Sequence, residues 1–217
     1  MSQSKMFLRT ILLSLLVLSF MLSSSMASSP VDEDKKVYKV KNDGPLFTAY
    51  NIWYELGKEN ALWCINYKRG QMIPAGTEVT DVKIVEAESG RFLGGDNVAI
   101  SFRIAESGQE FLVNFKQAFH PDLTIDDYMD KMFTSKDFNE LTAGMSSYEI
   151  KAIQEGKVKV NMSKDAILVS YGYPPEHRTP SLKDDVWLYW MTRFETKAIN
   201  FNEEGFTYRP GDDPDEL

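Results

Sequence analysis

Few residues in this chain are of the types that do covalent chemistry. Cys64 is the only cysteine, and His120 and His177 are the only histidines. A nucleophilic site needs a thiol or hydroxyl beside a base that a third group orients. Cys64 with His120 or His177 would supply the first two parts of a hydrolase. No recognised motif surrounds Cys64, however. It lies in "ALWCINY", a strand-like run in which a small buried thiol is the simpler reading. Glu176, His177 and Arg178 stand together in "VSYGYPPEHRTP" and could form an acid–base set. Three polar residues in a proline-bounded loop are more simply a surface that faces water and offers contacts. Neither histidine has a partner at helical metal-ligand spacing. The acidic "GDDPDE" lacks the glycine and closing glutamate of a calcium loop, and "FLGGDN" lies between strands, where a turn accounts for it. No catalytic residue, cofactor or metal is therefore expected.

Aromatic residues are the stronger signal. Trp53, Tyr54, Trp63, Tyr67, Trp187, Tyr189 and Trp190 exceed what two small cores need. "VWLYW" is apolar on both strand faces. One face should pack on helices, and the other must meet the N-terminal region, a partner or a ligand. Trp187, Tyr189 and Trp190, with His177 and Arg178, are the candidate protein contacts; Trp53 and Trp63 are the candidate ligand contacts.

These side chains must be held by two kinds of element. From residue 36 to 119 the pattern is β: "KVYKVK", "LFTAYNIWY", "LWCINY", "TEVTDVKIV" with a register break, "NVAISFRIA" and "EFLVNFKQAF", separated by glycine-rich turns. Such spacing suggests a small antiparallel barrel or sandwich. Residues 120–155 read as a helical linker. Ile125, Tyr128, Met129, Met132 and Phe133 share one helix face, with Thr124 as N-cap and Asp127 three residues on. Ser135 is a candidate start for a second short helix through Phe138 and Leu141. "MSSYEI" and "MSKDAI" give two further starts, capped by Ser146 and Ser163. Gly156 and Gly172 suit left-handed positions just past the two helix ends. "DVWLYWMTRF" and "TKAINF" follow as strands, so residues 156–209 predict two helices on a small antiparallel sheet and an α+β fold overall.

The ends bound location. Lys5 and Arg9 precede the apolar run "ILLSLLVLSFML", and Ser25 with Ala27 has the spacing of a cleavage site. Residues 1–27 thus read as a secretory signal peptide, predicting an exported chain, periplasmic or extracellular. The run is short for a membrane span. No cysteine follows it, so no lipid anchor is expected. The formal charge is −8, and cleavage would remove two cations more. That balance argues against nucleic acid, which is held by neutralising phosphates. Residues 210–217 form an acidic tail. A lone cysteine leaves an exported chain no internal disulfide; Cys64 is buried or pairs with another chain.

Two resemblances add to this reading. "MIPAGTEV" resembles the turn-to-strand entry of small Src-homology-type barrels. "VNMSKDAILVSYGYPP", "WLYW" and "AINF" resemble the SmpA/OmlA (BamE-like) family. Met162, Ser163, Gly172, Pro174, Trp187, Tyr189 and Phe201 match its helix start, helix exit and two strands. Asn161 stands where that family usually has glycine, and the family's lipid-bearing cysteine is missing. The resemblance implies a helix–helix–sheet module over about 50–60 residues and a protein-binding role. The whole is similar to exported bacterial proteins pairing a β domain with this module. The expected function is a non-enzymatic envelope protein that binds another envelope protein. The alternatives are a cell-wall or small-ligand binding module, or a hydrolase using His177 or Cys64.

Overall fold

A computed structural model describes residues 44–87 and 96–209, all within one compact unit, Lys36–Leu217. Residues 1–27, read as a signal peptide, the "KVYKVK" run, the 88–95 part of one turn and the acidic residues 210–217 lie outside the described residues. The fold is mixed α+β, with a curled half-barrel sheet.

Seven strands come first: β1 (Leu46–Thr48), β2 (Ile52–Tyr54), β3 (Leu62–Trp63), β4 (Gln71–Ile73), β5 (Glu78–Glu86), β6 (Val98–Ile104) and β7 (Glu110–Asn114). After a 3-10 turn at Gln117–Phe119 come α1 (Ile125–Met132), β8 (Phe133–Thr134), α2 (Phe138–Leu141), α3 (Ser147–Gln154) and α4 (Lys164–Tyr171). β9 (Val186–Thr192), β10 (Glu195–Phe201) and β11 (Thr207–Tyr208) close the fold. One sheet runs β3-β7-β6-β5-β1-β8, a second β11-β10-β9, and β2 pairs with β4.

The first sheet is not wholly antiparallel, as the barrel expectation had it: β3 runs parallel to β7, with Leu62 opposite Val113. The expected register break is a bulge at Asp81, which adopts φ 53° and shifts β5 against β6 between Thr80 and Lys83. β6 is central, and Ala99, Ile100, Ser101 and Phe102 are all buried, so both of its faces are covered. Phe102 stacks on Phe111 and meets Phe133 edge-on at 5.2 Å.

α1 closes this core with Tyr128, Met129 and Met132. Each such burial contributes on the order of 1.5–3 kcal/mol. Its start is the predicted capping box: Thr124 Oγ1 accepts from Asp127 N–H, and Asp127 accepts from Thr124 N–H. The helix stops one residue earlier than the apolar stripe suggested. Phe133 is extended because β8 pairs with β1. For the same reason the next helix starts from Asp137 rather than Ser135.

α3 and α4 lie on the second sheet. Ala152, Ile153, Ala166 and Ile167 pack against Trp187, Tyr189, Ile199 and Phe201 in one core. α3 ends in a Schellman turn. Lys157 N–H donates to Ala152 O and Gly156 N–H to Ile153 O, with Gly156 at φ 60°. Gly172 departs from the expected left-handed helical geometry. Its φ 77°, ψ −172° belongs to a region essentially restricted to glycine. A Cβ there would lie 2.7 Å from the Tyr50 ring. Glu149 joins the two helix starts. One carboxylate oxygen accepts from Ser146 N–H and the other from Ser163 N–H and Oγ–H. Burial pushes its pKa up, but these bonds outweigh burial and leave it below the ordinary value.

Asn51 binds the two cores together. Its Nδ2 donates to Ile153 O of α3 at 2.8 Å and Ser170 O of α4 at 3.1 Å, while Oδ1 accepts from Ala75 N–H at 2.8 Å. It is 1% exposed, so these three bonds complete its polar atoms without water.

Candidate functional site

An aromatic-walled concavity lies where the loop after β3 meets β9. It is a cleft of about 540 Å³ whose walls include Trp63, Tyr67, Phe119 and Trp190. β3 places Trp63 by pairing beside Asn114 of β7. Asn66, at φ 49°, turns the chain so that Tyr67 and Arg69 both reach the cleft. Lys68 N–H donates to Trp190 O at 3.3 Å and ties this loop to β9. Strand alternation does the rest. Trp187 and Tyr189 point to the helices, and Trp190 points the other way, into the cleft. The Trp190 indole N–H is shielded from solvent and has no hydrogen-bond partner among the described residues.

The rim is charged: Lys58, Arg69 and Arg193 against one carboxylate, Glu55. Glu55 lies 3.0 Å from Lys58 Nζ and 3.9 Å from Arg69 Nε. Its hydrogen bond from Lys58 holds its pKa below the ordinary value. Burial raises the pKa of Tyr67, partly offset by the nearby Arg193 charge.

The expected contact residues separate into three groups. Trp63 and Trp190 meet in the cleft. Trp53 lines a small annex of about 60 Å³ that shares Trp63, Tyr67 and Arg69 with it. Trp187 and Tyr189 are 0% and 1% exposed. Against expectation they present nothing to a partner, because their strand face is spent on α3 and α4. His177 and Arg178 are exposed on the connector between α4 and β9. Rather than projecting freely, His177 donates from both its backbone N–H and Nδ1 to Phe119 O, each at 3.2 Å. Glu176 accepts from Asp122 N–H at 3.3 Å. The loop is thereby clamped to the corner that supplies Phe119.

Cys64 and His120 sit beneath the cleft, and both are 1% exposed. The His120 Nε2 reaches Cys64 O at 3.3 Å, not the thiol. Tyr128 Oη donates to the same carbonyl at 2.6 Å. Burial pushes the Cys64 thiol up to about 12 and the His120 imidazole down to about 4. A neutral thiol beside a base engaged elsewhere is poorly suited to attack. Among the described residues no three His, Cys, Asp or Glu side chains gather as a metal site, and no helix is long and apolar enough to cross a membrane.

Lys68 was invisible as a special residue in the sequence, where "KRG" read as a turn. Its ammonium lies over Trp53 at 4.7 Å and over Tyr171 and Tyr189 at 5.4 Å each. It donates to Asn66 O at 2.7 Å and to Tyr171 O. Tyr171 ends α4, so this carbonyl belongs to the electronegative helix terminus. Burial drives the amine well below its ordinary pKa. No family model, no curated protein and no solved structure matches this chain.

Proposed function

We propose that the protein is an exported, non-enzymatic binding protein whose ligand occupies the Trp63–Trp190 cleft. One observation carries this reading: two tryptophans far apart in the chain, Trp63 and Trp190, face one open cavity of about 540 Å³, and Tyr67 and Phe119 help complete its walls. Cavities of this size with aromatic walls and a polar rim suit small ligands. Flat apolar faces, aromatic or sugar, pack well on such walls. The burial of Cys64, and the engagement of His120 Nε2 with its carbonyl rather than its thiol, favour binding over hydrolysis. Trp63→Leu and Trp190→Leu should each abolish the fluorescence change on titration with cell-wall fragments or aromatic acids. Undiminished responses in both variants would remove the cleft from consideration.

A protein partner is the second reading. It is supported by Phe194, 89% exposed, and Leu56, 71% exposed, which flank the cleft residues Arg193 and Glu55. A photo-crosslinker at position 194 should then capture an envelope protein; a second crosslinker on the opposite edge, at 209, should not. Equal capture at both sites would count against it.

For the C-terminal layer we propose an SmpA/OmlA-like module. Its helix–helix–strand–strand order supports this, as does Asn161 at φ 64° where that family usually has glycine. An experimental structure whose β9–β11 sheet lies in a different order would oppose it. Export predicts that protein recovered from outside the inner membrane begins at Ser28. An intact Met1 on that material would contradict cleavage.

A further inference from the structure

We infer that the ligand of the Trp63–Trp190 cleft carries a carboxylate and that Arg193 receives it, a specificity that rests on the cleft being the binding site. The rim holds three cations and one carboxylate, and the charges are not evenly matched. Glu55 engages both Lys58 and Arg69. Arg193 forms no ion pair among the described residues. Its guanidinium instead lies 5.6 Å from the ring of Phe194.

The placement of Arg193 is fixed by the strand that fixes Trp190. β9 and β10 are joined by a two-residue tip, Arg193–Phe194, and the pairing of Thr192 with Glu195 sets where that tip stands. Arg193 thereby lines the same opening as Trp63 and Trp190, within reach of a ligand held between them. A guanidinium offers a planar fork of donors that matches a carboxylate two bonds at a time. The chain as a whole is at −8 and repels anions at a distance, so a basic mouth selects the face they approach. Arg69 contributes less, because Glu55 already shares its charge.

The shared ligand chemistry is a ring bearing a carboxylate. An acidic sugar of the cell wall and a free aromatic acid both satisfy it. Two matched pairs separate these sources by ligand-observed NMR titration at low salt. The first is N,N′-diacetylchitobiose against the N-acetylglucosamine–N-acetylmuramic acid disaccharide. The second is indole-3-acetamide against indole-3-acetate. In one pair the acid should bind about tenfold more tightly than its neutral counterpart, the size expected of one charge-assisted contact. Arg193→Gln should erase that preference, bringing the acid to the affinity of its neutral counterpart in the same variant, and Arg193→Lys should keep part of it. Equal affinities within both pairs overturn the carboxylate inference and leave the cleft reading standing. A preference that survives Arg193→Gln overturns the role of Arg193. Failure of all four compounds to bind overturns both readings.

Discussion

Asn51→Ala tests whether the two cores fold as one. The side chain makes three hydrogen bonds at 2.8–3.1 Å, to Ile153 O, Ser170 O and Ala75 N–H, in a site 1% exposed. Truncation removes one partner from each bond and leaves the other three groups buried. A neutral bond lost in this way costs about 1–3 kcal/mol, so three partly relaxed losses give about 3–5 kcal/mol. That is a large share of the 5–15 kcal/mol typical of a whole domain. Urea unfolding followed by tryptophan fluorescence at pH 7 measures it directly. Asn51→Asp sharpens the test. It preserves shape but turns a carboxylate oxygen toward two carbonyls, which raises the folded pKa above the unfolded value of about 3.9. A raised folded pKa means that stability is present below the unfolded pKa and lost as pH rises. The deficit of Asn51→Asp against the parent should therefore shrink as pH falls toward 4. A loss under about 1 kcal/mol for Asn51→Ala, or a deficit for Asn51→Asp that does not move with pH, would refute the bridging role.

Three other outcomes follow from the same geometry. The His120 imidazole is depressed from 6.5 to about 4 by burial. Its contribution is thus present above the unfolded value of 6.5 and lost as pH falls toward 4, a change of about 3 kcal/mol at most. His120→Gln should flatten the stability–pH curve in that window, and an unchanged slope would discount the histidine. Gly172→Ala places a Cβ 2.7 Å from Tyr50 in a backbone region that excludes side chains, and should cost at least about 2–3 kcal/mol. A melting temperature within a degree or two of the parent would contradict this. Cys64, buried with its thiol pushed up to about 12, should resist alkylation for hours at pH 8 and react at once in urea. Rapid labelling of the folded chain would overturn the buried assignment and revive the nucleophile.

What could be read in the sequence was local. The caps at Thr124, Ser146 and Ser163 each form within three residues, and their signals survive whatever the rest of the chain does. The bulge at Asp81 was visible as a broken alternation. The α2 start was misplaced because Phe133–Thr134 is drafted into a sheet by β1, more than eighty residues earlier. The aromatic face of β9 was ambiguous for a related reason: both faces are apolar, and only the packed helices decide that Trp187 and Tyr189 are interior while Trp190 is not. Asn51 and Lys68 went unrecognised because a polar residue amid apolar neighbours shows no periodicity, and the N3 position of Glu149 beside the Ser146 cap gave no sign of its bond to Ser163. Their meaning lies in partners that are 24 to 119 positions away for Asn51, 14 for Glu149 and 103 for Lys68.

The Lys68 ammonium has a consequence for how quickly a ligand can be accepted. Tyr67 and Arg69 face the cleft while the residue between them is locked from behind by the end of α4 and three aromatic rings. On the binding function proposed above, that wall is preformed before any ligand arrives. Association then orders few side chains and loses little conformational entropy. Encounter should be governed by diffusion and charge rather than by a slow rearrangement, with the free and occupied cleft nearly superimposable.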